Sequence, residues 1–218
     1  MQSPYINTSL YSVVTLDAAQ MNNNIYNNLK FNLIKQLEGK CFRDYGFINK
    51  VYAITDKGDG MILPENPLAS ATFKVKFTCK ICNPLKGTQI ICQIDKITPI
   101  LIGMTAGPIR IIALPEHINK NIFYTDKNNN LRYKNKNVSQ DITKGTFVKI
   151  TILSKTFNDM DDIILVFANL DDIATNDEIQ QYYKDEYSNE DNPISFEDYI
   201  KKEKQLNETN VVDTDKME

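Results

Sequence analysis

The sequence predicts a small α+β domain, then an all-β barrel of five strands, then an acidic C-terminal tail. Three observations indicate this order. Residues 1–82 combine a helical apolar period with β-type alternation, residues 83–170 contain five short β-like segments, and residues 171–218 turn acidic and lose that pattern. A chain of 218 residues is long enough for two small domains and an extension.

The first domain reads as strand, helix, strand, strand. Residues 5–16 are rich in Tyr, Val and Thr, which favours a strand, and Asp17 is positioned to cap a following helix. Apolar residues then recur every four positions, at Met21, Ile25, Leu29, Leu33 and Leu37. Residues 40–54 are β-branched and aromatic, and residues 71–82 alternate between apolar and polar side chains. This alternation predicts a strand with one wet face, formed by Lys74, Lys76, Thr78 and Lys80.

Five short β-like segments make up the predicted barrel. They cover residues 88–97, 100–105, 109–114, 146–154 and 162–169. Five strands with a long connection between the third and fourth are typical of the OB fold. That connection, residues 119–143, interleaves basic and aromatic side chains, so we expect a polar insertion that folds over the barrel.

Charge is distributed very unevenly along the chain, although the net charge is only −3. Residues 83–150 contain ten Lys/Arg against four Asp/Glu, whereas residues 171–218 contain five against fifteen. The middle of the chain is therefore suited to a polyanion, and the tail would repel one. Two capping-box patterns, Thr175 with Glu178 and Ser195 with Asp198, predict two short helices in the tail. We expect this tail to be partly helical or disordered, and mobile unless a partner holds it.

The cellular compartment is indicated by what the sequence lacks. No apolar run reaches the ~20 residues that cross a bilayer, and the N-terminus shows no secretory signal pattern. The four cysteines are scattered, as is usual for thiols in a reducing compartment. We therefore expect an intracellular protein. Its richness in Asn, Ile and Lys is typical of AT-rich coding, as in a large DNA virus or an AT-rich protist.

Signals for catalysis or cofactor binding are weak. Cys79 and Cys82 have the spacing of a zinc pair, but on a strand they point to opposite faces. The single histidine, His117, lies outside any nucleophile motif, and Gly58-Asp59-Gly60 lacks the Gly-Lys-Ser/Thr of a phosphate loop. The Asp159, Asp161 and Asp162 cluster reads as a solvated turn. We expect no catalytic residue, no metal and no cofactor.

Seven short motifs together resemble one protein family. They are LEGKC (37–41), DYGFI (44–48), GMILP (60–64), FKVKF (73–77), NPLKG (83–87), GPIRI (107–111) and LPEHI (114–118). In this order and spacing they resemble the stalk subunit of DNA-dependent RNA polymerase, the family of the seventh subunit of eukaryotic RNA polymerase II and of its archaeal counterpart. The resemblance covers about residues 5–170.

The resemblance implies a non-catalytic stalk of two domains. An N-terminal tip domain, residues 1–82, would dock on the polymerase core near the clamp, and the OB barrel, residues 83–170, would contact nascent single-stranded RNA. A smaller partner subunit would pack across both domains as a heterodimer. Such a protein would work in the nucleus of a cellular eukaryote, or in the virion or viral factory of a giant virus.

The resemblance also implies candidate site residues. The docking residues would be Gly60, Met61, Ile62, Leu63 and Pro64. An alternative is that this loop is a local hydrophobic plug under the domain's own sheet. The RNA-contacting residues would be Lys86, Lys96, Arg110, Lys120, Phe123, Tyr124, Arg132, Tyr133 and Lys149. Here the alternative is that the aromatic residues close the barrel and the lysines only solubilise it.

One departure from the family predicts weak RNA contact. Many relatives place an aromatic residue early in the second barrel strand, whereas residues 98–102 read TPILI. Two rival functions also remain open. One is a free-standing OB-fold protein that binds single-stranded RNA. The other is an interaction module whose acidic tail presents Ile179, Tyr182 and Tyr183 on one helical face to a partner's groove.

Overall fold

The computed structural model describes residues 1, 3–62, 69–125, 131–135 and 138–187. Its N-terminal part is an antiparallel sheet with one helix on one face, here called the N-terminal sheet. The elements are β1 (Tyr5–Leu16), α1 (Ile25–Leu37), β2 (Cys41–Phe42), β3 (Gly46–Lys57), β4 (Met61–Ile62) and β5 (Ala71–Cys82). The strand order is β1-β5-β3-β2, and β4 pairs with the start of β5. Leu29, Leu33 and Leu37 of α1 are fully buried against the sheet.

The helix begins later than the sequence predicted. Asp17 precedes a short 3-10 turn, Ala18–Gln20, and the Gln20 side chain accepts a hydrogen bond from the Asp17 amide at 3.2 Å. Asn22 then accepts one from the Asn24 amide at 2.9 Å. Short polar side chains that bond to the local backbone in this way compete with a helical turn. The predicted capping of α1 by Asp17 is therefore wrong, because α1 starts at Ile25.

The C-terminal part is a closed five-stranded barrel, as the sequence predicted. Its strands are β6 (Gln89–Ile97), β7 (Ile102–Ala106), β8 (Ile109–Ala113), β12 (Phe147–Thr156) and β13 (Ile164–Ile173). The order around the barrel is β12-β13-β8-β7-β6, closed by β6 against β12. Only the β8–β13 pair is parallel. This is the arrangement of an OB-type barrel, with the third and fifth barrel strands side by side.

The insertion between β8 and β12 forms a small sheet rather than an irregular loop. It contains β9 (Phe123–Thr125), β10 (Leu131–Asn135) and β11 (Val138–Asp141), paired antiparallel in the order β11-β10-β9. Phe123 and Leu131 are buried in the barrel's hydrophobic core. The insertion therefore closes one end of the barrel through its apolar residues.

The start of the acidic tail folds onto the barrel. Helix α2 (Asn176–Tyr187) buries Tyr182 and packs Ile179 and Tyr183 against the barrel core. The predicted capping box is confirmed, because Glu178 accepts a hydrogen bond from the Thr175 amide at 2.8 Å. The apolar face that one rival function offered to a partner is thus occupied by the chain itself. The Ser195 and Asp198 pattern lies outside the described residues.

The two parts meet through backbone hydrogen bonds. The loop between β12 and β13 exchanges bonds with β2: the Cys41 amide donates to the Asp161 carbonyl at 2.7 Å, and the Met160 amide donates to the Cys41 carbonyl at 2.8 Å. Elsewhere, the Asn83 amide donates to the Pro4 carbonyl at 2.8 Å. Among the described residues, no helix is long and apolar enough to span a bilayer.

Candidate nucleic-acid interface and docking loop

The predicted docking residues begin on an edge strand. Met61 and Ile62 form β4, and their side chains are 63% and 56% exposed. Neither side chain is buried under the sheet. A Cβ at Gly60 would lie 2.6 Å from Phe73 Cζ, so a side chain there would displace this buried ring. Leu63 and Pro64 lie outside the described residues.

A basic cluster lies on the outer face of β6, β7 and β8. Arg110 on β8 is exposed and pairs in register with Thr105, which in turn pairs with Gln93. Asp95 lies among the positive charges and forms a 2.8 Å ion pair with Lys144. The hydrogen bond and charge of Lys144, and then the charges of Arg110 and Lys96, lower the pKa of Asp95.

The outer face of β6, β7 and β8 is suited to binding a phosphate backbone. We call Lys96, Arg110 and Lys144 the barrel cluster. Three cations around one carboxylate leave an excess of positive charge on the face that OB folds commonly use for oligonucleotides. The sequence reasoning identified Lys96 and Arg110 but missed Lys144. The sequence feature that could have identified Lys144 is its position in the turn before β12. There the Lys144-Gly145 pair brings a cation back beside β6.

A second candidate surface lies between the insertion and the end of the barrel. Lys120 and Tyr124 line an open cleft of about 550 Å³, together with Pro115, Ile118 and Leu131. Tyr124 is 38% exposed and is available for stacking, whereas Phe123 is 2% exposed. The Phe123 ring packs 5.7 Å from the Tyr133 ring. The structure therefore places Phe123 in the core, as support for the cleft.

Two further predicted RNA contacts are bonded to carboxylates of β13 and α2. Lys149 Nζ lies 3.1 Å from Glu178 Oε1 and 3.5 Å from Asp172 Oδ2, and its side chain is 15% exposed. Burial alone would lower the pKa of Lys149, but the two carboxylates raise it overall. Tyr133 donates a 3.1 Å hydrogen bond to Asp172 Oδ1. Both side chains are already bonded to carboxylates of this chain.

The two remaining predicted contacts lie apart from the barrel cluster. Lys86 is exposed in the turn that precedes β6, and Arg132 is half-buried on β10, in register with Tyr124. The structure thus brings seven of the nine predicted residues to three places and leaves Lys86 and Arg132 apart from them. The first place is the barrel cluster, the second is the insertion cleft, and the third is the set of carboxylate contacts made by Lys149 and Tyr133.

One barrel loop that OB folds often use for ligands is occupied here. The loop between β12 and β13 bonds to β2 of the N-terminal sheet, and Asp159 Oδ1 accepts a 2.7 Å hydrogen bond from the Arg43 amide. Asp159 is exposed in a turn, as predicted, and in addition its carboxylate bonds to the joint, as does the backbone carbonyl of Asp161. The loop between β6 and β7 stays accessible, and its Ile100 is 75% exposed.

The cysteines are divided between the two hydrophobic cores. Cys79 lies in the core of the N-terminal sheet, while Cys41, Cys82 and Cys92 belong to the barrel core. All four are buried thiols that form no disulfide. Within the part of the chain that the structure describes, no three His, Cys, Asp or Glu side chains are grouped to hold a metal ion.

Comparisons with known proteins agree with this architecture. Residues 12–67 match the family model described as "SHS2 domain found in N terminus of Rpb7p/Rpc25p/MJ0397". A protein of Acanthamoeba polyphaga mimivirus, named provisionally as a DNA-directed RNA polymerase subunit, is 36% identical over 186 residues. That match covers 85% of this chain and 91% of the viral protein.

Plant proteins match over a shorter stretch. DNA-directed RNA polymerase II subunit RPB7 of Glycine max is 30% identical over 90 residues, and the corresponding subunit of Arabidopsis thaliana is 29% identical over 90 residues. Each match covers 41% of this chain and 50% of the plant protein, so the chain matches about half the length of these relatives. The extensive match to the viral protein decides the assignment, and the chain belongs to the family of DNA-directed RNA polymerase subunits that includes RPB7.

Proposed function

We propose that this chain is the non-catalytic stalk subunit of a DNA-directed RNA polymerase. It docks on the polymerase core near the clamp and contacts nascent RNA. The observation that carries this proposal is the combination of an RPB7-type N-terminal sheet and an OB-type barrel, matched over 91% of the mimivirus relative. That relative favours a viral transcription apparatus, working in the virion or in the viral factory.

Docking is supported by the exposure of β4. Met61 and Ile62 are two adjacent apolar side chains, both more than half exposed, on a strand that pairs only with the start of β5 among the described residues. An exposed apolar pair of this kind is a suitable anchor for a pocket on a partner, because its burial removes apolar surface from water. The loop of residues 60–64 is therefore the proposed contact with the polymerase core.

A smaller partner subunit has a suitable surface at the joint. Tyr45, Met160 and Ile163 are 45%, 42% and 43% exposed. Tyr45 follows β2, whereas Met160 and Ile163 lie in the barrel loop that bonds to β2. We propose that the partner of the heterodimer covers this apolar surface, which includes residues from both parts of the chain.

RNA contact is assigned to the barrel cluster and the insertion cleft. Lys96, Arg110 and Lys144 offer charge to phosphates, and Tyr124 offers a ring to a base beside Lys120. The residues 98–102 contribute no ring, so affinity rests mainly on charge. We expect weak, sequence-indifferent binding that is useful because the polymerase holds the transcript nearby at high effective concentration.

Affinity purification tests the proposed function. A tagged full-length chain, expressed in its native infected or cellular context, is isolated and its companions are identified by mass spectrometry. We expect the large polymerase core subunits together with one smaller subunit in equal amount to the chain. Recovery of the chain alone, with micromolar or tighter binding to isolated single-stranded RNA, would instead support the free-standing RNA-binding protein.

A further inference from the structure

One face of the N-terminal sheet is open and basic. Helix α1 packs on the opposite face, so the outward side chains of β1, β5 and β3 meet solvent. They form rows across the three strands: Asn7–Lys80–Lys50, Ser9–Thr78–Ala53, Tyr11–Lys76–Asp56 and Val13–Lys74. We call this set the basic sheet face. Tyr11 is 65% exposed and Val13 is 44% exposed, so no described element covers them.

The basic sheet face has an excess of positive charge. It carries four lysines and, in the rows above, one carboxylate. Lys50, Lys74 and Lys76 form no salt bridge with any described residue, although Lys76 Nζ lies 5.6 Å from the centre of the Tyr11 ring. Lys80 is the exception to the predicted wet face, because it is only 4% exposed. It lies in the cleft between the sheet and the barrel, 5.3 Å from the centre of the Tyr5 ring.

The acidic tail starts beside this face. Tyr182 and Tyr183 of α2 line the same cleft of about 510 Å³ as Tyr5 and Lys80. Helix α2 ends at Tyr187, so the following chain leaves from the neighbourhood of the basic sheet face. Residues 188–218 contain nine Asp/Glu against four Lys/Arg. Thirty-one residues can extend on the order of 100 Å, whereas a twelve-residue strand is about 40 Å long.

We propose that the acidic tail, residues 188–218, docks in cis on the basic sheet face. Charge complementarity favours the tail as the occupant, because the tail supplies carboxylates to Lys50, Lys74 and Lys76, which form no salt bridge with any described residue. Proximity also favours it, since a tethered segment reaches its site at a millimolar effective concentration. The contact is electrostatic and exposed, so salt weakens it. The tail thereby shields Lys50, Lys74 and Lys76 from other polyanions.

Zero-length carbodiimide cross-linking of the wild-type full-length chain tests this proposal. The reagent joins a lysine amine to a carboxylate in direct contact with loss of water, and peptide mass spectrometry locates each link. Lys30 and Lys35 on α1 are the matched controls, because they lie on the opposite side of the same sheet. We expect tail carboxylates to link to Lys50, Lys74 and Lys76 at least fivefold more often than to the two control lysines.

High salt and a triple lysine variant provide two further tests of this contact. In ~1 M salt, where the Debye length is about 3 Å, the links to the basic sheet face are expected to decline to the level of the controls. The K50Q/K74Q/K76Q variant is expected to expose the tail to protease earlier than a K30Q/K35Q control. Equal linking to both sides of the sheet would overturn the proposal. So would an absence of tail links combined with protection of the three lysines by single-stranded RNA.

Discussion

The backbone amide of Arg43, beside the N-terminal sheet, donates a 2.7 Å hydrogen bond to Asp159 Oδ1 in the loop between β12 and β13. The neighbouring Cys41 exchanges two backbone bonds with the same loop. Arg43 and Met160 both adopt left-handed backbone angles, with φ of 46° and 69°. Non-glycine residues at such angles cost about 1–2 kcal/mol, so the surrounding contacts must hold them there. This joint fixes the β2 end of the N-terminal sheet against the barrel.

Removal of the Asp159 carboxylate is expected to loosen the joint. In Asp159→Ala, the loop loses the carboxylate that accepts the hydrogen bond from the Arg43 amide. Cys41 reports the opening, because burial and then Asp161, Asp162 and Asp159 raise its pKa to about 11 and keep the thiol neutral. We expect alkylation of Cys41 to accelerate about tenfold, as followed by peptide mass spectrometry.

Two residues serve as controls for this experiment. Cys92 lies in the barrel core with its pKa raised by burial, and its labelling rate is expected to stay unchanged. Asp162→Ala removes a neighbouring exposed carboxylate of the same loop. It is expected to accelerate alkylation of Cys41 by much less than Asp159→Ala does. Rapid labelling of Cys41 in the wild-type protein would show that the joint is already open in solution.

The anchorage of α2 depends on pH through Glu178. Hydrogen bonds from Thr175, first of all its backbone N–H, and then Lys149 lower the pKa of Glu178 below its ordinary value of 4.5. A lowered carboxyl pKa gives stability that is present above the ordinary value and is lost as the pH falls through the lowered one. Glu178→Gln imitates the protonated state. We therefore expect it to reduce the free energy of unfolding by ~1 kcal/mol at neutral pH.

The pH profile distinguishes this interaction from a general loss of charge. The difference between the wild type and Glu178→Gln in urea unfolding is expected to shrink as the pH falls below 4.5. Asp177→Asn, which removes a carboxylate from the same turn without a described hydrogen bond, is expected to have a smaller effect at neutral pH. A difference that stays constant across the pH range would exclude the role assigned to Glu178.

RNA affinity is expected to depend on Arg110 and on salt. Arg110→Gln removes one cation of the barrel cluster, so affinity for a single-stranded oligonucleotide falls and the slope of log K against log salt decreases by about one. Fluorescence anisotropy over a series of salt concentrations measures both quantities. Lys35→Gln on α1 changes the charge equally but lies outside the barrel, and we expect no effect. Binding that is independent of salt would contradict the assignment.

Local patterns predicted the regular strands well. The predicted strand over residues 5–16 is β1, and the predicted strand over residues 71–82 is β5, because each alternates against a core on one face. The five barrel segments were predicted from their short, β-like composition and lie within a few residues of the observed strands. The start of α1 was missed, since the Asn22 side chain accepts a hydrogen bond from the Asn24 amide where the apolar period already suggested a helix.

Contacts between distant segments could not be read from the sequence. Lys149 lies on a barrel strand, as predicted. Its carboxylate partners lie more than twenty residues later in the chain: Asp172 is near the end of β13, and Glu178 is in α2. Likewise, the burial of Lys80 depends on the neighbouring barrel. The insertion was predicted only as a long polar connection, without strands of its own. Its Phe123 and Leu131 are nevertheless buried in the barrel core, and Ile122 and Tyr133 pack against it.

Quantitative co-purification of a β4 variant tests whether the chain docks on the polymerase core through Met61 and Ile62. Met61→Asp combined with Ile62→Asp places two charges where apolar contact is proposed, and both positions are exposed in the isolated chain. The free energy of unfolding should therefore hardly change, which is checked first. The matched control is Phe31→Asp on α1, where the side chain is 54% exposed.

The recovered polymerase core is measured by mass spectrometry relative to the tagged chain. We expect the double variant to recover at least tenfold less polymerase core than the wild type. The Phe31→Asp control is expected to recover the core at the wild-type level. Retention of the smaller partner by the double variant would show that only the contact with the core is broken. Recovery of the polymerase core at the wild-type level by the folded double variant would contradict docking through this loop.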